Sequence, residues 1–298
     1  MEKLLQFFKQ CNHADFILPQ STETKNDLLA DMTDLYRSAL SKNYLVEDKY
    51  ESGVFGCSQM GKPSIITAWD YFHKTEYPAP SFAMKRKWMG GHLFELDVYY
   101  YLVRLGYEVQ HQINVQVSPL IMGHPDFVVY NPDQTRFVVE CKNVDDARYK
   151  HYKKYGIDNQ QYQTQLALYC SHLKCDGVWV VGNACTGEMM AIPLPYESVE
   201  TMYGELTSRA HIITGMCASA ETFEDVLKQR VCPPKPRRRK DGSFYIPPEM
   251  YMGKGSLHPA CSLYEFYEKD GKYFVTNLNY PESVRGCEPD WINELQGE

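Results

Sequence analysis

Apolar residues recur at helical spacing between Asp27 and Leu40, at Leu28, Leu29, Met32, Leu35 and Tyr36, and predict an amphipathic helix in a polar N-terminal stretch. Residues 51–80 are turn-rich, with Gly53, Gly56, Gly61 and Pro63, and hold a helix from Ser64 to His73 that Pro78 and Pro80 end. Met89 to Leu105 reads as a strong helix closed by Gly106. Positions 95, 98, 99 and 102 share one face and read Glu, Val, Tyr, Leu, so a carboxylate sits on an apolar face; Asp97 and Arg104 share the other face with Tyr100 and Tyr101. The period then shortens to two. Tyr107–Val117, Asp126–Tyr130 and Arg136–Lys142 read as strands, the last two joined by the turn-forming run Asn131 to Gln134. Residues 156–172 form a polar-faced helix, 177–181 and 188–194 strands, and 197–212 and 221–230 helices. Helix, three strands, helix, strand is the order of a mixed α/β core. At Cys232 the pattern gives way to a proline-rich basic run ending at Lys240, a linker or an arm. Residues 264–268 and 272–276 then flank Lys269, Asp270 and Gly271 as a hairpin with a tight turn. Three segments follow: a helical N-terminal segment packing on the core (1–83), the core with its following helices (84–231), and a basic linker with a C-terminal hairpin extension (232–298).

Composition narrows the class. The chain has 298 residues, room for two domains or one large one with extensions. Lys+Arg number 31 against 38 Asp+Glu, a net charge of −7 that excludes a wholly basic protein but not a local basic groove. A hydrophobic fraction of 44% argues against global disorder. The longest apolar runs, such as Val178 to Val181, are strand-sized, so no membrane-spanning helix and no membrane partner are expected. Met1 to Gln10 lacks a signal-peptide core, and the 10 cysteines are scattered with no Cys-x-x-Cys, the pattern of reduced thiols in a cytoplasmic protein. The 23 tyrosines outnumber Phe (13) and Trp (4) together; exposed ones can stack on bases, while most serve packing.

The chemistry concentrates at Gly123-His124-Pro125-Asp126 and Glu140-Cys141-Lys142. If the loop after Tyr130 takes five residues, Tyr130 pairs with Arg136 and Asp126 lies opposite Glu140; a loop one residue shorter places Asp126 beside it. Glu140 and Lys142, two apart on one strand, face the same side. Crowded carboxylates repel unless a cation lies between them, and hard oxygen donors suit Mg²⁺ or Mn²⁺. A neighbouring lysine can orient or help deprotonate a water, or neutralise charge on a phosphate. A solvated hairpin carrying an ordinary Asp–Lys or Glu–Lys pair is the alternative.

Pro125-Asp126 followed by Glu140-Cys141-Lys142 on a strand pair resembles the signature of the PD-(D/E)xK nuclease superfamily. Gly91-His92-Leu93-Phe94-Glu95 looks like the Gly-x-x-x-Glu element that gives many members a further metal-binding carboxylate. Tyr162-Gln163-Thr164-Gln165-Leu166-Ala167-Leu168-Tyr169 is similar to the Tyr-x-x-Gln-Leu-x-x-Tyr motif of the RecB-like exonuclease branch, which includes phage exonucleases and the mitochondrial genome maintenance exonuclease. A weaker likeness to phage members lies at Phe55 to Pro63, and the whole covers about residues 52–195. The resemblance implies a restriction-endonuclease-like αβββαβ core with a mixed sheet flanked by helices. It also implies a Mg²⁺-dependent DNA exonuclease, with Mn²⁺ substituting, acting in recombination, repair or degradation. Asp126 and Glu140 would hold the metal, with Glu95 assisting and the Cys141 carbonyl as a further ligand. Lys142 would position or activate the water, and Gln165 and Tyr169 would position the strand. Some relatives carry an iron–sulfur cluster; Cys57 is suitably placed, but Cys217, Cys232, Cys261 and Cys287 are too dispersed for the remaining ligands, so no cluster is expected.

Three basic clusters supply charge for DNA, single-stranded or at a duplex end. Lys85, Arg86 and Lys87 precede the Glu95 helix with Trp88 and His92 beside them; Lys150, Lys153 and Lys154 precede the helix of Tyr162; Lys235 and Arg237 to Lys240 form the third. A homo-oligomer or a recombination partner protein is compatible with these features, and likeness to compact phage members implies a viral source and the host cytoplasm. Competing readings are a structure-specific flap or branch endonuclease and a catalytically silent DNA-binding assembly protein.

Overall fold

A computed structural model of the chain describes residues 1–12, 25–41, 54–73, 80–111, 113–253, 256–270, 272–284, 289, 291, 292 and 295. Gly53, Pro78, Gly271 and Cys287, used above, lie outside the described residues. The chain divides into two compact units: 1–51, 56–58 and 78–207 make the first, and 52–55, 59–77 and 208–298 the second. Among the described residues no helix is long and apolar enough to cross a membrane.

The first unit is mixed α/β. Its helices are α1 (Glu2–Gln10), α2 (Lys25–Leu40), α3 (Phe82–Arg104), α4 (Asp146–Tyr155) and α5 (Gln160–Leu173). Its strands are β1 (Glu108–His111), β2 (Val115–Ser118), β3 (Ile121–Gly123), β4 (Phe127–Tyr130), β5 (Arg136–Val144), β6 (Asp176–Asn183) and β7 (Met189–Leu194). The five-stranded sheet runs β1-β4-β5-β6-β7, antiparallel throughout except for the parallel pair β5–β6. The chain from α3 to β6 contains the expected αβββαβ order. The single strand expected over 107–117 is instead two, β1 and β2, and β2 pairs with β3 in a separate hairpin.

Helix α3 begins at Phe82, seven residues before the apolar period becomes visible, because the Ser81 hydroxyl accepts from the Met84 N–H and caps it. Lys85, Arg86 and Lys87 therefore lie on this helix and not ahead of it. The helix stops at Gly106, whose φ of 79° reverses the chain while Tyr107 N–H donates to Leu102 O. The expected helix 156–172 is α5, capped by Asn159, and a further helix with no counterpart in the sequence reading precedes it: α4, capped by Asp145 through the Arg148 N–H and closed by Gly156. The helices expected at 197–212 and 221–230 run Val199–Ala218 and Phe223–Lys228.

Strands β5 and β6 are buried along most of their length, as central strands covered on both faces should be. Phe137, Val139 and Cys141 of β5 and Val178 and Val180 of β6 face a core with Phe94, Val98 and Leu102 of α3 and Leu4, Phe7 and Phe8 of α1. Alternation sends Val138, Glu140 and Lys142 to the opposite face, where Gly177 of β6 lies against Leu166 and Cys170 of α5. One strand thus carries both a hydrophobic core face and a charged one. At β7, Asn12 accepts from the Met189 N–H and donates to its carbonyl.

The second unit contains helix Ser64–His73 and a four-stranded antiparallel sheet in the order Tyr264–Lys269, Lys272–Leu278, Phe244–Tyr245, Arg237–Arg238. The hairpin of the first two strands turns at Asp270, whose φ is 52°. The basic stretch expected as a linker or arm supplies the edge strand of that sheet. His258 is buried; its Nε2 lies 3.0 Å from Asp70 Oδ1, and the other Asp70 oxygen takes Lys62 Nζ at 2.9 Å.

Candidate active site

The β4–β5 register decides which groups meet. Tyr130 pairs with Arg136 and Phe127 with Val139, the five-residue-loop register, so Asp126 and Glu140 are the next opposed pair. Asp126 Oδ2 accepts the Cys141 backbone N–H at 2.7 Å, which fixes the carboxylate at the end of the strand pair. Glu140 is 1% exposed. Its Oε1 accepts from Lys142 Nζ at 2.7 Å, while its Oε2 is buried with no hydrogen-bond partner among the described residues. A buried carboxylate oxygen left without a donor is costly. Glu95 enters from α3, held by His92 Nδ1 at 3.2 Å.

These carboxylates work against one another. Burial, then the charges of Glu140 and Glu95, push the Asp126 carboxyl well above its ordinary range. Glu140 is also raised, by burial, although Lys142 pulls it down. For Lys142 burial acts to lower the pKa, but Glu140 and Asp126 outweigh it, and the side chain stays an ammonium. That ammonium donates to Gln165 Oε1 at 3.2 Å and faces the Tyr162 ring at 4.8 Å.

Gln165 hydrogen-bonds to Tyr169, and the Tyr169 hydroxyl meets the Cys57 thiol. Tyr169 is 1% exposed, so it lies one layer behind Gln165 and does not border an open site. The reason is Gly123: a Cβ there would fall 2.4 Å from the Tyr169 hydroxyl and 2.9 Å from Cys57 Sγ. Burial pushes the Cys57 thiol up to about 12, despite the Tyr169 hydrogen bond, so it packs as a protonated group. The Cys141 side chain points into the apolar core, its thiol raised by burial and the nearby carboxylates, and only its backbone reaches Asp126. Sequence spacing could not find the Cys57 and Gly123 wall, which forms only on folding. It also missed Asn143, whose Nδ2 donates to Gly90 O at 3.2 Å and ties β5 to the turn of α3 before His92.

The basic residues divide. Lys85, Trp88, His92 and Glu95 follow one another at helical i+3 and i+4 spacing, so one stripe of α3 runs from a cation through an aromatic ring to the carboxylate. Arg86, Lys87 and Trp88 are exposed. Lys150 is paired with Asp146 at 2.8 Å, and Lys153 lies 4.0 Å from Glu188. Lys154 lies over its neighbour Tyr155 at 4.7 Å. Helix α4 is therefore partly self-neutralised, whereas the start of α3 presents its charge outward.

The donors fit a hard divalent cation. Two opposed carboxylates, one with an orphaned buried oxygen and both raised chiefly by burial, lack positive charge, and Lys142 supplies only one unit. Among the described residues no three His, Cys, Asp or Glu side chains close a cage. An ion held here would keep water or substrate oxygens in its other positions, the coordination that suits Mg²⁺.

No family model matches the chain, and no curated protein matches its sequence. Solved structures that resemble it include an alkaline exonuclease, LHK-Exo, from Laribacter hongkongensis, at 12% identity and a TM-score of 0.43 over 62% of this chain and 92% of that one. LHK-Exo in complex with dAMP is 13% identical, with a TM-score of 0.40 over 61% and 94%. SSO0001 is 12% identical, with a TM-score of 0.39 over 62% and 86%. Likeness at this distance carries no argument about activity, and the chemistry rests on the residues of the site.

Proposed function

We propose that the chain is a metal-dependent DNA exonuclease. The carrying observation is the opposed Asp126–Glu140 pair with one orphaned buried oxygen beside the Lys142 ammonium. Asp126 and Glu140 would hold Mg²⁺ or Mn²⁺, with Glu95 assisting from α3; the ion when bound polarises a phosphoryl oxygen and makes a water more acidic. The protein's own groups do the rest. Lys142 carries its proton at neutral pH, so its work is electrostatic: it donates to the water or to the phosphate oxygen that gains charge, and it is not the base. Gln165 holds the ammonium, and the Tyr162 ring lines its other side. In the reaction a water oxygen bonds to phosphorus, one ester P–O bond breaks, and a proton passes to the departing oxygen. The α3 stripe of Lys85, Trp88 and His92 suits a strand, with charge for phosphate and a ring for a base.

The test uses end-labelled linear single- and double-stranded DNA and a covalently closed single-stranded circle, each with Mg²⁺ or EDTA. Mg²⁺-dependent shortening of linear DNA with the circle intact is the expected result. Cutting of the circle makes the activity endonucleolytic. Binding without cleavage in either Mg²⁺ or Mn²⁺ overturns the hydrolase in favour of a DNA-binding assembly role.

A further inference from the structure

The second unit carries a built row of rings and guanidinium groups that the proposed hydrolysis does not use. In its four-stranded sheet Tyr267 pairs with Phe274, Phe274 with Tyr245, and Tyr245 with Arg237. Directly opposed residues share a face, so these four form one line across all four strands. The Tyr267 and Phe274 rings stack at 5.4 Å and 16°. The Arg239 guanidinium lies over both Tyr245, at 5.3 Å, and Phe274, at 5.0 Å. On the other face Arg238 lies over Phe244 at 5.7 Å. Tyr267 remains 50% exposed at the end of the line. Arg238, Arg239, Lys240, Asp241 and Tyr245 line an open surface cleft.

The charge here opposes that of the whole chain, which is −7. Two acids stand close by. Glu249 pairs with Arg237, and Asp241, exposed in the same cleft, accepts from the Ser243 N–H at 3.0 Å and from its hydroxyl at 2.6 Å. Arg238, Arg239 and Lys240 outnumber Asp241 in the cleft. Cations on an edge strand also block strand addition. That duty needs charge alone; it does not need guanidinium planes laid on rings or an exposed ring ending the row.

We propose that this sheet face is a second binding surface, for single-stranded nucleic acid, formed by Arg239, Lys240, Tyr245 and Tyr267. It goes beyond the hydrolytic site and does not depend on it. Guanidinium groups fork phosphate oxygens in a bidentate manner. Exposed aromatic faces accept unpaired bases regardless of sequence. A duplex offers its phosphates but keeps its base faces stacked, so the rings favour a single strand.

Fluorescence anisotropy of labelled oligo(dT) with the full chain in EDTA tests this without cleavage. The Arg239→Ala/Lys240→Ala variant should bind about tenfold more weakly. Its salt dependence should flatten by about 1.4 in the log–log slope, the share of two single-strand phosphate contacts. Tyr267→Ala should weaken binding about tenfold with the slope unchanged. Arg239 packs on two rings, so the exposed Lys240→Ala alone and the exposed Tyr267→Ala keep the test valid if the double variant does not fold. Unchanged affinity in Tyr267→Ala, or a duplex or poly-glutamate competing as well as oligo(dT), would overturn the single-strand assignment. The two readings also fail separately. Loss of binding in these variants with a wild type that cuts no DNA leaves the surface standing and the hydrolase fallen; cleavage abolished by Asp126→Asn with binding untouched by these variants does the reverse.

Discussion

Replacing Lys142 with alanine separates the proposed metal-holding role of the carboxylates from the proposed hydrolysis. The Lys142 ammonium is 2.7 Å from Glu140 Oε1 and 3.2 Å from Gln165 Oε1. Its removal strands a carboxylate that is 1% exposed beside Asp126 and Glu95. Breaking a buried ion pair from one side costs about 3–5 kcal/mol. For a unit of this size that is a fall in Tm of about 10 °C. Part of the cost is relieved by proton uptake, because without the lysine Glu140 loses the charge that lowered its pKa. A raised carboxylate favours the folded state below its unfolded pKa and loses that advantage as pH rises, so the variant should be hurt more at about pH 8 than at about pH 5. A divalent cation replaces the missing charge, so Mg²⁺ should raise the variant's Tm more than the wild type's. Cleavage should nevertheless fall by about 10²–10³-fold, the usual loss of one donor to developing charge. Scanning calorimetry with Mg²⁺ or EDTA at both pH values, beside a cleavage assay, reads all of this. A variant as stable as wild type at about pH 8, with no extra gain from Mg²⁺, would refute the electrostatic reasoning.

Gly123→Ala places a methyl 2.4 Å from the Tyr169 hydroxyl, and overpacking of this kind costs about 1–3 kcal/mol; urea denaturation should show that loss, and Tyr169→Phe, which removes the clashing oxygen, should recover part of it. The Asp126 carboxyl is raised by burial and by Glu140 and Glu95, so metal-free wild type should lose Tm between about pH 5 and pH 8 relative to Asp126→Asn, and Mg²⁺ affinity measured by titration calorimetry should climb over the same range as the competing proton leaves. His258→Ala removes the buried imidazole that meets Asp70 Oδ1 at 3.0 Å and accepts from the Ala260 N–H at 3.1 Å, a loss of about 1–3 kcal/mol by thermal denaturation.

The hairpin that carries the site is legible from a short stretch because its register follows from the turn: Asn131 to Thr135 closes in five residues, and alternation then opposes Asp126 to Glu140. Glu95 stands out as a charge on an apolar helix face for the same local reason. The start of α3 does not, because Lys85, Arg86 and Lys87 break the apolar period while Ser81 supplies the cap. Helix α4 is almost all polar and passes unseen by hydrophobic spacing, although Asp145 and Gly156 mark both ends. The packing behind the site is a different matter. That Tyr169 is buried against Cys57 and Gly123, and that Lys142 is held by Gln165, depends on pairings between distant segments that no local pattern encodes. The edge strand Arg237–Arg238 is similar, since two residues show no period and pair only through Phe244 and Tyr245.

In the proposed reaction Asp126 and Glu140 hold a divalent cation on which hydrolysis depends. Cleavage of end-labelled linear DNA by wild type and by Asp126→Asn, with folding verified by circular dichroism, tests it most directly. The account predicts Mg²⁺-dependent cleavage by wild type, none in EDTA, and a loss of at least about 10²-fold in the variant. Cleavage that survives EDTA, or that Asp126→Asn leaves unchanged, would contradict it.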